Sequence, residues 1–182
     1  FSIISEECGV IQNSDKDNFW VIDPIDGTIN FLHGIPHFCI SVALKSNNEI
    51  VSGVILDPIK NEIFYAEKNN GAYYNNQRIR VSKKTDLNDC LFGTNKQGII
   101  NSKLNCRISG SAALDLAYVG SGKLDGYFQK NLNIWDIASG LLIVGESGGK
   151  ISDLDLSKIE NISIKASSIN IYDKMDQNLK NF

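Results

Sequence analysis

The stretch WVIDPIDGTINFLH, Trp20 to His33, is the part of the chain on which the reading of fold and chemistry turns. Phe19–Ile22 reads as a buried apolar strand running into Asp23-Pro24, where proline is expected to stop it. Asp26 follows three residues after Asp23. Gly27 has no side chain, so its backbone can approach a ligand closely. Thr28 stands where a short helix, Thr28–Leu32, can begin. Two hard oxygen ligands beside a helix N-terminus suit a phosphate bridged to divalent cations. The plain alternative is an Asp-Pro turn with a helix cap, and the hexapeptide alone leaves both open.

Two more acidic positions lie outward from this stretch. Upstream, the short apolar segment Phe1–Ile4 delivers Glu6-Glu7 to a turn closed by Gly9, after which Asn13–Asn18 is polar loop. Adjacent glutamates are ordinarily a solvated pair, but so short an apolar approach suggests a buried segment presenting them at an edge. Downstream, Trp135-Asp136 precedes Ile137–Val144, a run so apolar that its helix must be buried. Asp136 can be a cap or dipole partner there. Near the interior it wants a cation or several donors.

Between these points the chain changes rhythm once. Phe38–Leu44, Ile50–Ile55, Glu62–Ala66 and Ala72–Val81 are strand-like and separated by turn residues, as in an antiparallel meander or mixed sheet. From Asp86 onward strands and helices alternate: strands at Cys90–Gly93, Leu124–Phe128, Lys150–Ser152 and Ile162–Ala166, and helices over Ser111–Gly120, Asp136–Val144 and Ile169–Leu179. The class is layered α and β, organised as one domain over 1–182, with a metal-binding sheet part over 1–85 and a strand–helix part over 86–182.

Composition narrows the function classes. With 182 residues, 42% hydrophobic and 21% charged, the chain can bury a real core, which excludes a disulfide-stapled miniprotein or a disordered tail. A net charge of −3 gives no basic footprint for nucleic acid, and no apolar run approaches the ~18 residues of a membrane span. Cys8, Cys39, Cys90 and Cys106 are spread out with no C-x-x-C pair, so reduced thiols in a cytoplasm are expected rather than zinc. Phe1 enters mid-pattern, as if something upstream has been cut away.

WVIDPIDGTINFLH and WDIASGLLIVGESGG (Trp135–Gly149) resemble the two signature segments of the inositol monophosphatase family, and Glu6-Glu7 stands where that family has its E-E element. GSAALDLAYVGSGKLDGYF (Gly110–Phe128), IKASSINIYDKM (Ile164–Met175) and the stretch Ser52–Ser82 are also similar, so the resemblance runs along the whole chain. It implies a layered α-β-α-β-α sandwich of the sugar-phosphatase type with its first helical layer missing. The implied activity is Mg²⁺-dependent hydrolysis of a phosphate monoester, inositol monophosphate by default, by in-line attack of a metal-activated water.

Carried over residue by residue, the resemblance assigns Glu6, Asp23 and the Ile25 carbonyl to a first Mg²⁺, and Asp23, Asp26 and Asp136 to a second. Glu7 would support a third, weaker ion. Ile25, Gly27 and Thr28 would face the phosphate, with Glu6, Asp26 and Thr28 as the catalytic group. Gly110, Ser111 and Ala112 would contact the alcohol, and Asp136 and Gln129 would also face the substrate. Close carboxylates repel by about 4 kcal/mol at 4 Å in an effective dielectric near 20, so such a pocket requires cations. His33, His37 and the turn Asp57-Pro58 are assigned no chemistry.

Three departures from the family pattern are visible. The N-terminal helical segment, with an acidic residue that orients the equivalent of Thr28, does not precede Glu6-Glu7. Gln129 stands where the family often has Glu. The connection between Gly93 and Arg107 looks short. Relatives act on histidinol phosphate, sugar phosphates or phosphoadenosine phosphate, and some bacterial members act as regulatory or scaffold proteins on transcription or RNA-processing machinery. Three arginines are few for a substrate with several phosphates. A homodimer is implied for the full-length form.

Overall fold

The computed structural model describes residues 1–95 and 103–179. Eight strands form the first sheet: β1 (Ser2–Ser5), β2 (Gly9–Ile11), β3 (Asn18–Asp26), β4 (Cys39–Ser46), β5 (Glu49–Asp57), β6 (Glu62–Glu67), β7 (Gly71–Tyr74) and β8 (Gln77–Arg78), ordered β2-β1-β3-β4-β5-β6-β7-β8. From β3 to β8 it is an antiparallel meander, whereas β1 pairs in parallel with β3. Asn47-Asn48 and Asn75-Asn76 hold positive φ in the two-residue hairpin loops β4–β5 and β7–β8, where asparagine tolerates the left-handed conformation such turns demand.

Pro24 does not stop β3. The ladder to β4 pairs Asp23 with Ser41 and then Asp26 with Cys39, so β3 carries one extra residue between them. Pro24 and Ile25 fall in that bulge, beyond the last β1 partner at Ile22, so the missing N–H interrupts no ladder bond. The strand therefore continues to Asp26 and bends there, re-aiming the side chains that follow. Gly27 closes the bend at φ 92° and leads into the single-turn helix α1 (Thr28–Leu32).

The second sheet has the order β10-β9-β11-β13-β12, from β9 (Phe92–Thr94), β10 (Cys106–Arg107), β11 (Gly126–Leu132), β12 (Gly149–Ile151) and β13 (Ile162–Ser168). Helices α2 (Ala112–Gly120) and α3 (Ile134–Glu146) pack on each other between the two sheets, and α4 (Tyr172–Asn178) lies against β13. Among the described residues the layers thus run sheet, helix pair, sheet, helix. The main core joins Val21 and Ala43 of the first sheet to Leu116, Ile137 and Leu141 of the helices and Tyr127, Ile164 and Ala166 of the second. Phe92, Phe128, Ile171 and Met175 form a separate cluster under α4.

Element boundaries differ from the sequence reading by a few residues. Cys90 lies between a 3₁₀ turn at Leu87–Asp89 and β9, β11 extends to Leu132, and α4 begins at Tyr172. Residues 96–102 of the connection that the sequence suggested is short lie outside the described residues. All four cysteines carry free thiols. Among the described residues no helix is long and apolar enough to cross a membrane.

Candidate metal and phosphate site

The parallel register of β1 and β3 sets Ser5 beside Ile22, and the Glu6 N–H donates to the Ile22 carbonyl at 3.4 Å. The Glu6-Glu7 turn therefore sits next to Asp23, the residue after Ile22. Both glutamates are exposed, while Asp23 is 1% exposed. Asp23 Oδ1 accepts from the Ile25 N–H at 3.0 Å, which folds the bulge over its own carboxylate.

The bend in β3 aims Asp26 across to the start of α2. Its Oδ2 accepts from the Ser111 hydroxyl at 2.5 Å and from the Ala113 N–H at 2.8 Å, with Cys39 Sγ at 3.7 Å. Ser111 is the N-cap of α2, its Oγ accepting from the Leu114 N–H at 3.3 Å. Asn30 on α1 donates to the carbonyls of His37 at 2.8 Å and Ser109 at 2.9 Å, pinning the strip Gly110–Ala112 to the Asp-Pro segment. Thr28 Oγ1 donates to the Ile25 carbonyl at 2.9 Å, so two groups expected to hold different ligands bond each other here. Asp136 is not the first residue of its helix but the third. It completes a capping box with Asn133, whose N–H donates to Asp136 Oδ2 at 2.7 Å.

Asp23 and Asp136 both feel the charges of Asp26 and Glu6. Burial, then the charges of Asp26 and Glu6, push the Asp23 carboxyl up to about 8, with Asp136 adding to the effect. Burial, with the charges of Asp26 and Glu6 behind it, pushes Asp136 up to about 7 against the opposing hydrogen bond from Asn133. Burial likewise raises Asp26, opposed by its Ser111 and Ala113 donors. Among the described residues no lysine, arginine or histidine forms an ion pair with Glu6, Asp23, Asp26 or Asp136. Carboxylates without a cationic partner, two of them buried, with a carbonyl oxygen at hand are hard-oxygen donors of the kind that fits Mg²⁺. Among the described residues no three His, Cys, Asp or Glu side chains stand close enough for a ready-made metal cage. In this structure Asp23, Asp26 and Asp136 each bond a backbone or hydroxyl donor instead.

A cavity of about 200 Å³ opens between the sheets, and Asp26, Gly110, Ser111, Ala112, Gln129 and Asp136 all line it. Glu6, Glu7, Asp23, Ile25, Gly27 and Thr28 do not line this cavity. The sequence reading missed Asp115, a further lining residue on α2 that is 3% exposed and pushed up to about 7, chiefly by burial. Its signal was a carboxylate inside the otherwise apolar stretch Ala112–Gly120. It also missed Tyr127, fully buried on β11, whose hydroxyl donates to Gln129 Oε1 at 2.8 Å. Burial, then the charges of Asp115, Asp26 and Asp136, raise that phenol well above its usual value.

Family model, curated relatives and a solved structure all point the same way. The family model described as the inositol monophosphatase family matches residues 1–179. An inositol-1-monophosphatase of Mesorhizobium japonicum is 39% identical over 170 residues, 85% of this chain and 64% of its own length. The Nus factor SuhB of Haemophilus influenzae is 43% identical over 169 residues, 85% of this chain and 63% of its own. A crystal structure of the extragenic suppressor protein suhB from Bartonella henselae superposes with a TM-score of 0.91 at 40% identity, covering 99% of this chain and 79% of that one. The chain thus spans less than two thirds of the two curated relatives.

Proposed function

Because the chain belongs to the inositol monophosphatase family, we propose that it hydrolyses a phosphate monoester in an Mg²⁺-dependent reaction, with inositol monophosphate as the first substrate to test. The observation that carries this reading is that, beyond burial, the charges of Asp26 and Glu6 raise the carboxyls of both Asp23 and Asp136, although these residues come from the β1–β2 turn, β3 and α3. Glu6, Asp23 and the Ile25 carbonyl would hold one Mg²⁺, and Asp23, Asp26 and Asp136 a second, with Glu7 supporting a third. Bound there, Mg²⁺ supplies a more acidic water and charge neutralisation at the phosphate and leaving oxygens.

The protein's own groups bind and orient. Gly27 and Thr28 would donate their N–H groups to the phosphate at the start of α1, and the Thr28 hydroxyl can turn its proton from the Ile25 carbonyl to a phosphate oxygen. Ser111 and the Ala113 N–H fix one oxygen of Asp26, leaving its carboxylate one orientation. Gly110, Ser111, Ala112 and Gln129 would hold the alcohol in the cavity that Asp26 and Asp136 share. Free thiols support a cytoplasmic setting, and the family resemblance supports a homodimer in the full-length form.

Phosphate release from inositol monophosphate tests the reading. It is expected to require Mg²⁺ and to fall at least 100-fold in Asp26→Asn, with the fold checked by circular dichroism. The reading fails if no member of a phosphomonoester panel, histidinol phosphate and sugar phosphates included, is hydrolysed at saturating Mg²⁺. A second reading follows from the Haemophilus relative, which is named as a Nus factor: a regulatory or scaffold role on transcription or RNA-processing machinery. Binding to that machinery that survives Asp26→Asn would support it.

A further inference from the structure

Ser41 on β4 stands directly opposite Asp23 of β3 in the antiparallel ladder, so the two buried side chains share one face of the sheet. Ser139 lies on α3 three residues after Asp136, one turn further along the same side of the helix. The Ser41 hydroxyl donates to the Ser139 hydroxyl at 2.9 Å, across 98 positions of chain. Close packing already fixes how far α3 lies from its neighbours. A Cβ at Gly53 on β5 would come within 2.9 Å of Ser139 Cα, and one at Gly140 within 2.5 Å of Leu116 Cβ. Contact of that kind limits separation but resists sliding along the strands only weakly. A hydrogen bond is directional, and a displaced hydroxyl loses it. At the far end of α3, Glu146 accepts from the Asn69 and Gly71 N–H groups at 2.8 Å. That anchor is about 15 Å along the helix from Asp136.

We propose that Ser41 and Ser139 are positioning residues, a buried hydroxyl latch that sets the register of α3 on the first sheet and so holds Asp136 where it can share a Mg²⁺ with Asp23. The proposal rests on the Mg²⁺ reading above. Neither serine lines the cavity, so the pair acts through Asp136 and not on the substrate. Removing one hydroxyl strands its partner in the core, which costs stability, whereas removing both leaves no unpaired polar atom there. The effect on the metal site has no such cancellation. With either hydroxyl or both gone, the near end of α3 loses its directional bond to β4.

The test compares the native protein with Ser41→Ala, Ser139→Ala and the double variant by calorimetric Mg²⁺ titration and by urea unfolding. Alanine is the strongest helix former, so Ser139→Ala retains α3 and gives a folded variant in any case. The Mg²⁺ Kd is expected to rise about three- to tenfold in all three variants, at or below the loss seen when a partner touching a metal ligand is removed. The number of ions bound should stay native. The urea midpoint of the double variant should lie nearer the native value than that of either single variant, so that weakened Mg²⁺ binding and lost stability part company. In phosphate release, the half-saturating Mg²⁺ concentration should rise with the Kd, while KM for the ester at saturating Mg²⁺ stays unchanged. A native Mg²⁺ Kd in the double variant, or in Ser139→Ala, would overturn the proposal and leave the pair a structural contact. If the native protein itself binds no Mg²⁺, the metal reading fails and the proposal falls with it.

Discussion

One hydroxyl, that of Ser111, joins a helix cap to a buried carboxylate. It accepts from the Leu114 N–H to start α2 and donates to Asp26 to hold it against that helix. Ser111→Ala removes a cap, at about 1 kcal/mol, and a hydrogen bond to a charged group, at about 1.5–3 kcal/mol. Urea unfolding should therefore show a loss of roughly 2–4 kcal/mol, and a native-like midpoint would mean that Asp26 does not depend on this contact. At this scale the sequence announced the carboxylates but not their partners. Asp23 and Asp26 were readable from their spacing around Pro24. The bond from Ser111 spans 85 positions of chain and leaves no local trace. Asp115 was hidden for a related reason: an acid inside an apolar helix marks a special site only once its neighbours are known.

Helix α3 is placed by close contact, and its placement carries Asp136. A Cβ at Gly140 would come within 2.5 Å of Leu116 Cβ on α2, a backbone-proximal atom that cannot swing aside. Gly140→Val should force α2 and α3 apart, destabilising the protein by about 1–3 kcal/mol. It should also weaken Mg²⁺ binding by shifting Asp136 relative to Asp26. Thermal unfolding and a Mg²⁺ titration check the two effects, and a variant as stable as the native protein would contradict the close packing. Elements marked by local chemistry were legible: Thr28–Leu32 after a glycine, the helix over Ser111–Gly120 from its apolar spacing, the apolar run after Trp135. The extent of β3 was not. A proline ordinarily ends a strand, and here the bulge that accommodates Pro24 exists only because β4 supplies a partner on the far side.

At the scale of the whole molecule, the helix pair between the sheets lets residues far apart in the chain act on one another. Glu6, Asp23 and Asp26 come from one end of the chain and Asp136 from the far part, yet Asp136 feels the charges of Asp26 and Glu6. Layered α and β were readable from the change of rhythm near Asp86. The order of the layers was not derivable from periodicity, which says which face is buried but not against what. If these carboxylates hold cations only in the folded state, Mg²⁺ at about 100 times its Kd should stabilise the fold by about 2.7 kcal/mol, and chelation should reverse it. The most direct test is calorimetric titration of Mg²⁺ into the native protein and into Asp26→Asn and Asp136→Asn. The account predicts saturable binding of two or more ions by the native protein and the loss of at least one site in each variant. Identical isotherms for all three, or no binding by the native protein, would contradict it.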